Sequence, residues 1–210
     1  MKQKQKKLIV FDFDGTLVNS FDEVLKIWGI LGKMYRFKIV TRKDLLQIYR
    51  GNFFEEATKK LNISKVKIVL ISPTIKKMFI EEFKTVKMFP GIKTVLRRLC
   101  KKAELIIVSS NFNRLMKKYL EENSLRMCFK TIMGAESAFS KKKKFGRLKK
   151  VFKCYELIYV CDTVGDLKEA KAADVKTAAV TWGYHKKNDL AKIKPDYIFS
   201  KPYQLLELVK

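Results

Sequence analysis

Histidine is almost absent from this 210-residue chain, with His185 its only example, and the four cysteines (Cys100, Cys128, Cys154, Cys161) form no CxxC pair. One histidine sets aside Ser-His-Asp, Cys-His and multi-histidine metal sites. The widely spaced cysteines argue against a disulfide framework or a zinc site and for reduced thiols. No apolar run approaches the roughly 18 residues of a membrane span. The N-terminus, Met1 to Lys7, is basic like the start of a signal peptide. The apolar run after it is cut at Asp12, short of the about 7–15 residues an h-region needs. A soluble, unexported, cytoplasmic protein with no membrane contact is expected. Acidic residues are also scarce, 21 against 46 Lys plus Arg, for a net charge of +25. Such a charge suits nucleic-acid binding, anionic lipid or the steering of anionic substrates. Of the 46 cations only eight are arginine, the residue that phosphate and base readers favour, and many lysines come in scattered pairs. Solvated helix faces account for most of them, and nucleic acid is possible as a partner but not favoured.

What the chain does have is 47% hydrophobic residues, enough for one domain with a sizeable insertion, and an unusual stretch at its start. Leu8–Phe11 reads as a buried strand that ends in two carboxylates, Asp12 and Asp14, followed by Gly15 and Thr16. Two acids gain nothing in a core, so the strand is expected to present them in a crevice at its carboxyl end, with Phe13 turned back into apolar packing. Thr16 can cap the next segment or donate to an anion.

From about Ser20 to Phe37 the apolar spacing is helical, Thr41 caps a helix through Tyr49, Arg50-Gly51-Asn52 breaks it, and Phe53–Leu61 is helical again. Ser64–Ile71 fits helix or strand, Pro73 interrupts, and Thr74–Phe83 resumes as helix. After Met88 helices alternate with short apolar strands at Leu105–Val108, Thr131–Met133, Glu156–Cys161, Ala178–Thr181 and Tyr197–Phe199. The block Lys141–Lys144 stands ahead of a helix over 145–152, and a final helix covers 202–209. The alternation predicts an α/β fold, a Rossmann-like parallel sheet flanked by helices, built from residues 1–16 and 86–210. Residues 17–85 read as a small helical cap inserted after the first strand.

In such a sheet the residues after each strand converge on one edge. That edge receives Asp12 and Asp14, then Ser109, Ser110 and Asn111, then Asp162 with Asp166 one helical turn on, and a lysine from 141–144. Four acids together call for a cation, and hard oxygen ligands without histidine suit Mg²⁺.

These residues resemble the haloacid dehalogenase-like superfamily of hydrolases over nearly the whole chain. Its DxDGT motif is met by Asp12–Thr16, its strand ending in Ser or Thr by Ile106–Ser109, and its GDxxxD motif by Asp162 to Asp166, with Cys161 where Gly is usual. Its lysine ahead of a helix is best met by Lys141, with Lys144 close behind. Asp174 also replaces a usual Gly. Phe89-Pro90-Gly91 and Val180–Tyr184 are similar to the phosphoglycolate-phosphatase-like branch.

The resemblance implies a Mg²⁺-dependent phosphatase acting on a small phosphomonoester, phosphoglycolate-like, through an aspartyl-phosphate. In that reading Asp12 is the nucleophile and Asp14 the general acid and base. Ser109 and Lys141 stabilise the transferring phosphoryl group, with Thr16, Ser110, Asn111 and Lys144 as further phosphate-binding candidates. Asp12, Asp14 (through its carbonyl), Asp162 and Asp166 make up the metal set, and Arg50, Gly51 and Asn52 are candidate substrate contacts from the cap. Ser109 as a mere helix cap, and Lys141–Lys144 as a solvated run, are the structural alternatives. At the level of function the alternatives are a nucleic-acid end phosphatase and a non-catalytic basic binding protein on the same scaffold. No obligate protein partner is implied.

Overall fold

The structure, a computed structural model, describes residues 6–210; residues 1–5, most of the basic N-terminal stretch, lie outside the described residues. In chain order the elements are β1 (Lys6–Phe11), β2 (Val18–Asn19), α1 (Phe21–Tyr35), α2 (Arg42–Ile48), α3 (Phe53–Leu61), α4 (Lys65–Glu82), β3 (Lys87–Met88), α5 (Ile92–Leu99), β4 (Glu104–Val108), α6 (Asn113–Glu122) and β5 (Phe129–Met133). There follow α7 (Lys141–Val151), β6 (Tyr155–Cys161), α8 (Val164–Lys171), β7 (Lys176–Val180), α9 (Lys187–Ala191), β8 (Tyr197–Phe199) and a closing 3₁₀ segment, Pro202–Val209.

Six strands form one parallel sheet in the order β5-β4-β1-β6-β7-β8, the flanked α/β architecture expected from the alternation. β1 lies between β4 and β6 and is covered on both faces, which is why it reads as a continuous apolar run. Ile9 and Phe11 join one core cluster, with α5, α6 and the helical segment 21–82, while Leu8 and Val10 join the other, with α7 and α8. Phe13 does turn back into apolar packing, stacked on Phe83 and edge-on to Tyr119.

Three local readings need correction. Pro73 does not interrupt a helix: α4 runs through it, because Ile68, Ile71, Ile75 and Phe79 form one buried stripe. The ring's fixed φ is already helical, and the carbonyl it leaves unpaired belongs to Val69, an exposed position. The lysine block is not ahead of its helix but is its first turn, since Lys141, Lys144, Phe145 and Leu148 share the buried face of α7 while Lys142 and Lys143 point outward. The closing segment is 3₁₀ rather than α. An antiparallel ribbon, β2 with β3, has no signature in the sequence; it pairs the chain where it leaves for α1–α4 with the chain where it returns.

Candidate active site

At the carboxyl end of the sheet Asp12 leaves β1 with its N–H still bonded to the Val160 carbonyl. Its Oδ1 accepts from the Phe13 N–H at 2.8 Å, and its Oδ2 lies 3.0 Å from Lys141 Nζ. The same ammonium is 2.7 Å from Asp166 Oδ1 and donates to the Tyr159 hydroxyl at 2.8 Å, so its three hydrogens have three partners. Burial works against the Lys141 charge, but Asp12 and Asp166 outweigh it and hold the amine protonated. Burial alone would raise Asp166 too; Lys141 overrides it and keeps that carboxyl below the usual range. Asp12, at the longer distance, is pushed well up by burial.

Asp14 accepts from the Ser20 hydroxyl at 2.7 Å and from the Asn111 side-chain amide at 3.0 Å. Burial raises its pKa, and these two donors lower it only in part. Ser109 Oγ accepts from the Asn111 N–H, so it does not cap α6, whose N-cap is Phe112. Lys144 is fully buried and donates to the Ser109 carbonyl at 2.6 Å; burial, then the neighbouring Lys141 charge, brings its pKa down to about 7. The two lysines thus differ: Lys141 faces the acids, Lys144 supports the backbone of Ser109.

Asp12, Asp14, Ser109, Ser110, Asn111, Lys141, Asp166 and Gly51 line one cavity of about 350 Å³ between the sheet edge and α1–α4. Thr16, Lys144, Asp162, Arg50 and Asn52 do not line it. Thr16, read as a phosphate contact, is buried with its hydroxyl on Asp162 Oδ1 at 2.8 Å. It lies behind the site because the chain turns at Gly15, whose φ of +72° and missing Cβ let Asp162 Oδ2 approach to where a side chain would stand. Asp162 Oδ2 also accepts from the Tyr184 N–H, and burial carries its pKa to about 7. Cys161 is the last residue of β6 and packs, fully buried, in the second core cluster, a small hydrophobe in place of the usual Gly. Asp174 adopts the left-handed conformation, φ +50°, that a Gly would.

Arg50 and Asn52 face the sheet domain instead of the cavity. Arg50 pairs with Asp189 at 2.9 Å, and the Asn52 amide donates to Glu169 Oε1 and to the Phe139 carbonyl. The Gly165 N–H donates to the Tyr49 carbonyl, and His185 completes the contact: its Nδ1 accepts from the Val164 N–H and its Nε2 bonds the Leu46 carbonyl. The turn after α2 therefore clasps the start of α8, a job for polar side chains that sequence cannot distinguish from reaching a ligand. A Cβ on Gly165 would lie 2.1 Å from the Gly51 carbonyl and 2.8 Å from that of Tyr49, both backbone atoms. A Gly165→Ala variant is expected to lose about 1–3 kcal/mol of stability and to raise KM by pushing this segment off the site. Unchanged denaturant midpoint and unchanged KM would show that the clasp is not tight.

Sequence reasoning missed Tyr159, Ser20 and Tyr184 as supports of the acids. Ser20 comes soon enough after the DxDGT stretch to have been a candidate; nothing in the sequence links Tyr159 to Lys141. Among the described residues no three His, Cys, Asp or Glu side chains converge into a set ready for a metal ion. The donor chemistry nevertheless fits a hard divalent cation. Asp12, Asp162 and Asp166 are buried close enough to disfavour one another's charge, and one ammonium, Lys141, opposes them.

Comparison with known proteins agrees with this geometry. Residues 9–180 match the family described as haloacid dehalogenase-like hydrolase, and the chain belongs to that family. It is a hydrolase of the phosphatase type. It is 24% identical over 204 residues to a phosphoglycolate phosphatase of Synechococcus elongatus, covering 96% of each chain. It is 22% identical to the pyrophosphatase PpaX of Listeria innocua, covering 96% of this chain and 95% of the other. A haloacid dehalogenase-like family hydrolase from Streptococcus pneumoniae superposes with a TM-score of 0.79 at 22% identity, over 98% of this chain and 99% of that one. No described helix is long and apolar enough to cross a membrane.

Proposed function

We propose that this hydrolase is a Mg²⁺-dependent phosphatase of small phosphomonoesters that works through an aspartyl-phosphate, with α1–α4 as its cap. The observation that carries the reading is that Asp12, 3.0 Å from the Lys141 ammonium, lines one cavity with Asp14 and Ser109. An Asp12 oxygen attacks phosphorus, the ester P–O bond breaks, and the leaving oxygen takes the Asp14 proton. Burial keeps Asp14 protonated more readily than an exposed carboxyl, as an acid for an alkoxide must be. Water then attacks phosphorus, its proton passes to Asp14, and the P–O bond to Asp12 breaks, which restores both carboxyls. Ser109 and Lys141 stabilise the phosphoryl oxygens, Ser110 and Asn111 border them, and Lys144 positions Ser109. Asp12, Asp162 and the Asp14 carbonyl would hold Mg²⁺, with Asp166 in support; bound there, the ion offsets the repulsion between carboxylate and phosphate.

The end-phosphatase alternative is not favoured by where the charge lies. A basic groove formed by Lys6, Lys7, Lys101, Lys102, Arg126 and Lys130 sits at the amino end of β1, about 20 Å along the strand from Asp12. The test is hydrolysis of a generic phosphomonoester by wild type with and without Mg²⁺. Turnover that appears only with the ion is expected; no turnover under either condition would refute the phosphatase reading.

A further inference from the structure

The cavity beyond the phosphoryl position is mostly apolar, with Ser72, Glu136 and the unpartnered Trp28 Nε1–H among its few polar groups, and no cation lines it there. Its far wall comes from α1, α3, α4 and the turn after α2, with Trp28, Tyr49, Phe53, Phe54, Ile75 and Phe79 as its larger side chains. Phe112 and Phe139 face them from the sheet domain. Among the described residues lining the cavity Lys141 is the only cation, and it sits at the sheet edge beside Asp12, Asp166 and Tyr159, where the phosphoryl group itself would bind. Beyond Asp12, Asp14 and Asp166 at the sheet edge, the remaining charged residue of the lining is an acid, Glu136. The nearby cation, Lys76, lies 5.9 Å over the Phe112 ring at the cavity border but outside the lining, and its pairing with Glu136 at 3.8 Å leaves no net positive charge there. Arg50, which stands between the lining residues Tyr49 and Gly51 in the sequence, is paired with Asp189 and does not line the cavity.

A second phosphate, or the carboxylate of a glycolate, would enter this wall without a counter-charge, and desolvating an unpaired anion is costly. A planar, apolar leaving group instead gains dispersion and area burial against the aromatic rings. From this we infer that the substrate is a phosphomonoester whose leaving alcohol is uncharged and carries an aromatic or similarly flat apolar group. The inference rests on the phosphatase reading of the same site and parts from the substrates named for its relatives.

The experiment compares benzyl phosphate, 4-carboxybenzyl phosphate and 2-phosphoglycolate, with Mg²⁺ and the intact chain. The first two differ by one remote carboxylate and hardly in leaving-group chemistry, so the comparison isolates charge in the wall. The expected kcat/KM for benzyl phosphate is at least tenfold above both of the others. Val69→Arg, an exposed position on the cavity rim, should narrow the gap to 4-carboxybenzyl phosphate by raising the rate on that compound. Binding to the Asp12→Asn variant, followed by tryptophan fluorescence, separates recognition by the wall from the chemistry. Preferred binding of benzyl phosphate without wild-type turnover would uphold the wall and refute the phosphatase. Turnover of phosphoglycolate equal to or faster than that of benzyl phosphate would overturn the inference and leave the phosphatase standing.

Discussion

Asp12→Asn should fold like the wild type and hydrolyse phosphomonoesters about 10⁴-fold more slowly or worse, the scale expected when a nucleophile is removed. The change is nearly isosteric, and an amide oxygen can still accept the Phe13 N–H that Asp12 Oδ1 accepts now. What disappears is the anionic oxygen that, in the proposed mechanism, forms the covalent bond to phosphorus. The Oδ2 position, 3.0 Å from Lys141 Nζ, becomes an amide NH2 that cannot accept from the ammonium, so a lower melting temperature with the cooperative transition retained is expected. The pair of readouts matters: lost turnover with a retained cooperative transition assigns Asp12 to chemistry, whereas lost turnover with a collapsed melting transition would not. Residual activity within tenfold of wild type would exclude Asp12 as the nucleophile.

The second large effect belongs to Lys141. Lys141→Ala leaves Asp12, Asp166 and the Tyr159 hydroxyl around an empty position, and breaking a buried pair by removing one partner costs about 3–5 kcal/mol. Loss of the ammonium from the developing phosphoryl charge is expected to lower kcat about 10²–10³-fold. Lys144→Met, three residues on, removes a donor to the Ser109 carbonyl but no contact with the acids, so its kcat loss should stay within about tenfold. Melting curves and kcat for the two variants side by side test the distinction; equal, mild losses in both would mean that neither lysine holds the phosphoryl group.

The sheet was legible because β-branched runs bounded by turns are a local signal, and a parallel sheet brings strand ends together whatever the loops do. That logic placed Asp12, Asp14, Ser109, Ser110 and Asn111 at one edge. It failed where a single side chain had to choose between two polar environments. Thr16 chose Asp162, Arg50 chose Asp189 and Asn52 chose Glu169. Each choice depends on a residue more than a hundred positions away. The lysine run failed for a different reason: four identical side chains conceal the helical phase, which appears only once Phe145 and Leu148 dock on the sheet and carry Lys141 and Lys144 inward.

By itself the sequence narrowed the class of chemistry: carboxylates at the end of an apolar strand, with no histidine set to replace them, leave chemistry run on carboxylates, lysines and hydroxyls, and only the family resemblance implies an aspartyl nucleophile. The tertiary structure alone decided that Lys144 turns to the Ser109 carbonyl, what clasps the turn after α2 to α8, and how the far wall is lined. Those outcomes depend on packing and desolvation between segments distant in the chain, where a burial difference of a few ångströms decides whether a charge is paired or excluded.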